Sequence, residues 1–424
     1  MDTSILHRDT WVEIQIDHIE HNCREIRKWL PPEVRFMATV KADAYGHGDL
    51  QVAEIALRSG ADSLAVALLS EALYLRRNGV QAPILVLMPI LACDVNKAIE
   101  QNISVTIAHP TALQEMLAYQ THQAPLKVHV KLDTGLGRIG IRNEAELQKL
   151  LSDLKRKEVI VEGVYTHYAT AKRVETDYYD MQHAKLLEMI DWLEKEGVKA
   201  NVYHCANSAA ALQFPDQVLD MVRIGEAMLG FYPSLEIKRK LPFTLKSALS
   251  FHSKIGHIKQ IKKGDYVGYD TVYQAQEEEW VATIPVGYAD GYHRCFHGFY
   301  VLVDGQRMPI ISTICMDQMM IRLPKEYPLG TEVVLIGKQG EEEITFQQLA
   351  EHIGSVPPEI PSMITDRVPK VYFAQGEIVE ILSEKIWVNA PTPSKETIFT
   401  QKKASLDGNE QIDKSFKKRI VQAI

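Results

Sequence analysis

Seven polar residues stand at or just beyond the ends of apolar runs in the first half of this sequence: Lys41, Lys131, Asp133, His167, His204, Asn207 and Arg223. Lys41 follows Phe36-Met37-Ala38-Thr39-Val40, so a segment that reads as buried delivers an amine. Burial disfavours the charged form of a lysine and lowers its pKa. A neutral amine can form a Schiff base with an aldehyde. Taken alone, such a lysine could equally snorkel to water. Arg223 stays protonated and can only donate hydrogen bonds. His167 and His204 suit either orienting roles or a hydrogen-bonded core. The shared placement of all seven is a stronger signal than any one of them.

The elements that would carry them alternate. Candidate strands are Val34–Lys41, Ser63–Ala67, Ile84–Leu87, Ser104–Ile107, Lys127–Leu132, Val159–Thr166, Asn201–His204 and Met221–Ile224. Helical patterns lie between most of them, such as Thr176 to Lys195 with Tyr179, His183, Leu186, Leu187 and Ile190 at helical spacing. Eight such units match a (β/α)8 barrel, whose reactive groups sit at the C-terminal ends of the strands. A doubly wound open sheet is the competing architecture.

The chain has 424 residues, 46% hydrophobic and 24% charged. That suits two or three globular domains with full cores. A net charge of −8 argues against a general nucleic-acid binder. The apolar stretch Ala82–Cys93 is too short to span a bilayer and contains Pro83 and Pro89. The N-terminus lacks a signal-peptide pattern. Five scattered cysteines without a C-x-x-C pair fit free thiols in a reducing cytoplasm and no metal site. After Pro242 the pattern changes to β-rich runs without helices: Ala248–Ile261, Val281–Val286, Tyr300–Val303, Ile310–Met316 and Glu332–Ile336. The expected organisation is a barrel over 1–241, a mostly antiparallel β domain over 242–388, and a polar tail over 389–424.

Gly135-Leu136-Gly137-Arg138-Ile139-Gly140 fits the short dinucleotide fingerprint G-x-G-x-x-G. The pattern is weak alone, and Arg138 and Ile139 sit where a pyrophosphate-cradling turn belongs. A longer match overrides it. Val40-Lys41-Ala42-Asp43-Ala44-Tyr45-Gly46-His47-Gly48 resembles the pyridoxal-phosphate attachment signature of alanine racemases. Further matches follow in order: Lys131 to Gly140, Tyr165-Thr166-His167, His204 to Ala210, Val222-Arg223-Ile224-Gly225, Val267-Gly268-Tyr269, Gly287 to Tyr292, and Ile314 to Gln318. The resemblance covers roughly residues 10 to 380.

This resemblance implies a barrel, a C-terminal β domain, and a cytoplasmic homodimer whose active sites are shared between subunits. It implies racemisation of alanine by two opposed bases, supplying D-alanine for peptidoglycan, with no nucleic-acid or membrane partner. Lys41 would carry pyridoxal 5'-phosphate and act as one base. Tyr269, from the other subunit, would be the second. Arg223 would face the pyridine nitrogen, with His204 and His167 behind it. Tyr45, Asn207, Ser208 and Gly225 would lie at the cofactor, the phosphate falling to Tyr45, Ser208 and Gly225. Arg138 would bind the substrate carboxylate, and Lys131, a position often carbamylated in the family, would hold Arg138. Tyr288, Met316 and Asp317 would line the substrate side.

Three positions depart from the family pattern. Glu226 stands where Ile is usual, Leu229 where Tyr is usual, and Pro358 aligns with a tyrosine that binds phosphate and narrows the entrance. These changes open a broader substrate range, with serine, lysine or ornithine beside alanine. Two other classes share the barrel. Cofactor-homeostasis proteins lack the β domain, and the related decarboxylases differ at Arg223.

Overall fold

The first strand, β1 (Thr10–Gln15), precedes the barrel and does not join it. The computed structural model describes residues 6–383; the expected tail over 389–424 lies outside the described residues. The barrel is built from β2 (Arg35–Thr39), β3 (Ser63–Val66), β4 (Ile84–Val86), β5 (Ile103–Ile107), β6 (Leu126–Lys131), β7 (Val159–Tyr165), β8 (Val202–His204) and β9 (Met221–Ile224). β2 to β8 pair in parallel, each with its neighbour in sequence, and β9 pairs in parallel with β2. The Asp220 N–H to Tyr203 O bond (3.1 Å) and the Arg223 N–H to Ala206 O bond (2.9 Å) join the last two strands. Every residue of β3, β5 and β9 is buried, because helices cover one face and the lumen the other. Met37, Ala65, Leu85, Val202 and Met221 form a small apolar cluster of their own, while Phe36 and Ala38 belong to the main core. Alternation along β2 thus turns Met37 and its neighbours to opposite faces.

The helix Asp177–Lys195 forms as its periodicity predicts, but its buried face is Tyr179, Gln182, Leu186, Met189 and Leu193. Leu187 is exposed, so the apolar stripe lies slightly around the helix from the expected one.

The β-rich second half is mostly antiparallel. The expected run Ala248–Ile261 is two strands, Leu249–Lys254 and His257–Ile261, in different sheets. β1 lies in the larger of these sheets, antiparallel to Leu249–Lys254 and parallel to Lys370–Ala374. Ile310–Met316 is not a strand. Its alternation does bury Ile310 and Ile314. However, the Ile310 N–H goes to Phe299 O and the Ile311 N–H to Met320 O, two different neighbours, so no ladder extends.

Candidate active site

Lys41 lies just beyond β2, at the start of a turn in which Ala42, Asp43, Ala44 and Tyr45 all have φ between +46° and +56°. Left-handed backbone costs a non-glycine residue about 1–2 kcal/mol, so this turn must be held from outside. Glu71 accepts the Ala42 N–H (2.7 Å) along with those of Ala67 and Leu68. Asp43 pairs with the buried Lys370 (2.6 Å) of the second sheet. Gly46 has φ +82°, and a Cβ there would lie 2.2 Å from Pro361 O. The turn is therefore gripped by both domains. Burial lowers the Lys41 amine from its usual range, Arg138 and Arg223 add to the effect, and Glu71 and Glu226 oppose it.

Arg223, the third residue of β9, is buried inside the barrel. It donates to His204 Nδ1 (2.9 Å), to Thr166 O (2.8 Å) and to Cys205 O (3.1 Å), and lies 3.3 Å from His167 Nδ1. His204 Nε2 meets His129 Nδ1 at 2.9 Å, and His129 Nε2 lies 3.3 Å from Glu162. Ser104 donates to Glu162 and Lys127 stands 3.6 Å from it. Burial, then the charge of Arg223, drives His204 well below its usual pKa, and burial lowers His129 as well. Both rings are neutral near pH 7. For Glu162, burial alone would raise the carboxyl, but hydrogen bonds from His129 and Ser104 and the charge of Lys127 outweigh it and hold the pKa low. Neither His129 nor Glu162 stands out at a strand end. The available signal is period-2 alternation in Leu126-Lys127-Val128-His129-Val130-Lys131, which puts the polar members on one face.

Beside Lys41, Ser208 opens a six-residue helix that is capped by the Asn207 side chain accepting the Ala210 N–H (3.0 Å). Asn207 Nδ2 also lies 3.4 Å from His167 Nε2. Ser208 Oγ accepts the N–H groups of Gly225 (3.1 Å) and Ala227 (3.4 Å). Its own proton is thereby left to donate elsewhere. A Cβ on Gly225 would lie 2.6 Å from the Tyr45 hydroxyl, so the two hydroxyls and the bare glycine share one recess. Leu229, by contrast, is fully buried in the main core and bears on packing. Pro358 caps the short helix Glu359–Ser362, whose Pro361 carbonyl packs on Gly46.

Lys131 is buried, donates to Leu132 O (3.1 Å), and sits 5.0 Å over the Tyr165 ring. Burial, then Arg223, moves its amine well below the usual range. The loop after it is closed by Asp133, whose carboxylate accepts the N–H groups of Gly135 (3.1 Å) and Gly137 (2.9 Å). Those donors are spent inside the loop, and the next helix begins only at Glu144. A pyrophosphate would find neither free glycine amides nor an adjoining helix start, so the dinucleotide reading fails. Arg138 at the loop tip is exposed, and its charge is felt at Lys41, Lys131 and His167.

The remaining candidates gather on the second domain. Tyr269, Met316 and Asp317 line one open cavity of about 590 Å³. Tyr269 is 68% exposed and Met316 54% exposed. Tyr269 follows Gly268, at φ +82°, where a Cβ would strike Ser312. Tyr288 joins through its N–H to Cys315 O (3.1 Å), and Asp317 is held by Arg367 (2.7 Å). Among the described residues, no hydrogen bond links this cluster to Lys41 or Arg223. The candidate residues thus fall in two groups, one in the barrel and one on the β domain.

Known proteins share this architecture. The family model for the alanine racemase N-terminal domain matches residues 14–233, and that for the C-terminal domain matches 248–372. The alanine racemase of Geobacillus kaustophilus is 48% identical over 88% of this chain and 97% of its own length. The crystal structure of the Bacillus anthracis alanine racemase with bound L-Ala-P superposes with a TM-score of 0.87 at 46% identity, covering 89% of this chain and 98% of that one. A histidine racemase from Leuconostoc mesenteroides superposes with a TM-score of 0.79 at 32% identity, over 87% and 99% of the two chains. By sequence and by architecture, then, the chain belongs to the alanine racemase family.

Proposed function

We propose that this protein interconverts L- and D-alanine with pyridoxal 5'-phosphate, using Lys41 and, from a second copy of the chain, Tyr269 as opposed bases. The observation that carries the reading is the split itself: a desolvated Lys41 in the barrel and an exposed Tyr269 on the β domain of the same chain. Removing a proton from one face of a carbon and returning one to the other needs two groups, and a projecting tyrosine is suited to completing a neighbour's site.

The barrel recess fits the cofactor. Lys41 supplies the amine, the Tyr45 and Ser208 hydroxyls brought close together at the bare Gly225 suit the phosphate, and the buried Arg223 suits the pyridine nitrogen. When bound, pyridoxal phosphate supplies an electron sink that acidifies the substrate's α-carbon. Lys41 Nζ holds or accepts the proton on one face and the Tyr269 hydroxyl does so on the other. Arg223 donates a hydrogen bond without giving up its proton. It is held in that role by neutral His204 and His129, which can accept. Arg138 meets the substrate carboxylate, and Lys131, a buried amine whose pKa burial lowers, is chemically disposed to carbamylation that would anchor Arg138. Tyr288, Met316 and Asp317 border the substrate.

A wider substrate range is favoured by Pro358, which brings no hydroxyl or aromatic ring to the element packed on Gly46. The test is a racemisation assay of the purified protein over L-alanine, serine, lysine, ornithine and histidine, with the cofactor absorbance recorded. Turnover of alanine with measurable turnover of a larger amino acid is expected. No racemisation of any of them by cofactor-loaded protein would overturn the function, and alanine alone would overturn the wider range.

A further inference from the structure

Glu226 sits beside the phosphate recess without a role in anything described so far. It is the first residue of the short 3-10 turn Glu226–Leu229, and its two neighbours, Gly225 and Ala227, both donate their N–H groups to Ser208 Oγ. Its side chain is largely buried, and among the described residues no hydrogen bond reaches its carboxyl. The groups that face it electrostatically are Lys41 and Tyr45, from the turn after β2, and Lys172, from the segment after β7. Glu226 directly follows Gly225, the position against which the Tyr45 hydroxyl packs, and beside burial its charge pushes the Tyr45 phenol upward.

We propose that the Glu226 carboxyl is part of the phosphate site, donating a hydrogen bond to the phosphate when neutral and repelling it when ionised, so that cofactor retention weakens as pH rises. This rests on the reading of the recess as the phosphate site of pyridoxal 5'-phosphate. A carboxylic acid has one O–H to donate, whereas a carboxylate is acceptor-only. A phosphate dianion offers only acceptors, so the ionised pair has no shared proton and two like charges at short range. Burial raises the Glu226 carboxyl from its usual range, against the pull of Lys172 and Lys41, which moves the change toward neutral pH. Ser208 and Tyr45 hydroxyls donate at every pH in this range, so Glu226 is the variable member of the set. The missing hydroxyl at Pro358 makes that member's contribution a larger share of the whole.

The experiment compares two ligands on the cofactor-free protein from pH 5.5 to 8.5: pyridoxal 5'-phosphate and pyridoxal, which lacks the phosphate. The ratio of their Kd values isolates the phosphate contribution from the Lys41 chemistry common to both. The phosphate's own second ionisation, near pH 6, is shared by every variant. Glu226→Gln keeps a donor and removes the charge; Glu226→Ile removes both. The wild-type ratio is expected to match that of E226Q at pH 5.5 and to fall at least about fivefold below it by pH 8.5, the scale of one like-charge contact screened as in bulk water. E226I is expected to lie below both at pH 5.5. Equal ratios for wild type and E226Q at every pH would overturn the proposal, as would a wild-type ratio that rises relative to E226Q. If pyridoxal binds as tightly as its phosphate in all three proteins, and Ser208→Ala changes nothing, the reading of the recess as a phosphate site fails instead.

Discussion

Two tyrosines with the same side chain show how placement sets chemistry. Tyr45 is partly buried against the core, and the desolvation of its phenol raises the pKa beyond use as a base near neutrality, leaving it a hydrogen-bond donor. Tyr269 stands exposed after a tight glycine turn, free to enter another chain's site. Tyr269→Phe removes one hydroxyl and no packing volume of consequence. General acid–base groups contribute about 10²–10⁴-fold, so kcat is expected to fall by that order in both directions while the cofactor absorbance stays. Unchanged turnover in steady-state assays would remove Tyr269 from the mechanism. Most of these site residues are legible in the sequence because Lys41, His204 and Arg223 interrupt or close apolar runs. His129 and Glu162 are harder to read, because they lie within strands whose lumen-facing positions are known only once the barrel closes.

At the scale of elements, the left-handed turn after β2 is the least legible feature and the most consequential. Ala42-Asp43-Ala44-Tyr45 contains no glycine, and nothing in those residue types predicts four consecutive positive φ values. The eight barrel strands are readable because buried parallel strands are continuous apolar runs of the right length. β1 alternates plainly as Thr10-Trp11-Val12-Glu13-Ile14-Gln15, yet its partners are far along the chain, so its membership in the second sheet is a property of the whole fold. Two substitutions probe the turn's supports. Gly46→Ala combines left-handed strain with a Cβ that meets Pro361 O, and is expected to cost more than about 2 kcal/mol. Lys370→Met leaves Asp43 without its buried partner; because Asp43 is partly exposed, a loss of about 1–2 kcal/mol is expected. Both should raise the cofactor Kd along with lowering stability in denaturant titration. Stability loss with an unaltered cofactor Kd would separate the turn from the site.

For the whole molecule, three fully buried histidines set the response to acid. His47 is held near a pKa of about 4 by burial, and His129 and His204 are also lowered chiefly by burial. Unfolded, each would titrate near 6.5. Below that pH the unfolded chain binds protons that the folded chain refuses, so stability present above about pH 6.5 is lost as pH falls. Each histidine contributes a slope of up to about 1.4 kcal/mol per pH unit until its folded pKa is reached. Tm should therefore drop steadily between pH 7 and pH 5; a flat profile would mean that these rings are protonated in the fold.

In the proposed division of the site between two domain faces, a second copy of the chain completes the catalytic pair. Lys41→Ala and Tyr269→Phe homodimers should each be nearly inactive. Mixed after dissociation and reassociation, they form heterodimers in which one of the two sites has both an intact Lys41 and an intact Tyr269. With random pairing, activity should recover to about a quarter of wild type. Activity that stays at the level of the two separate variants would contradict a site shared between chains.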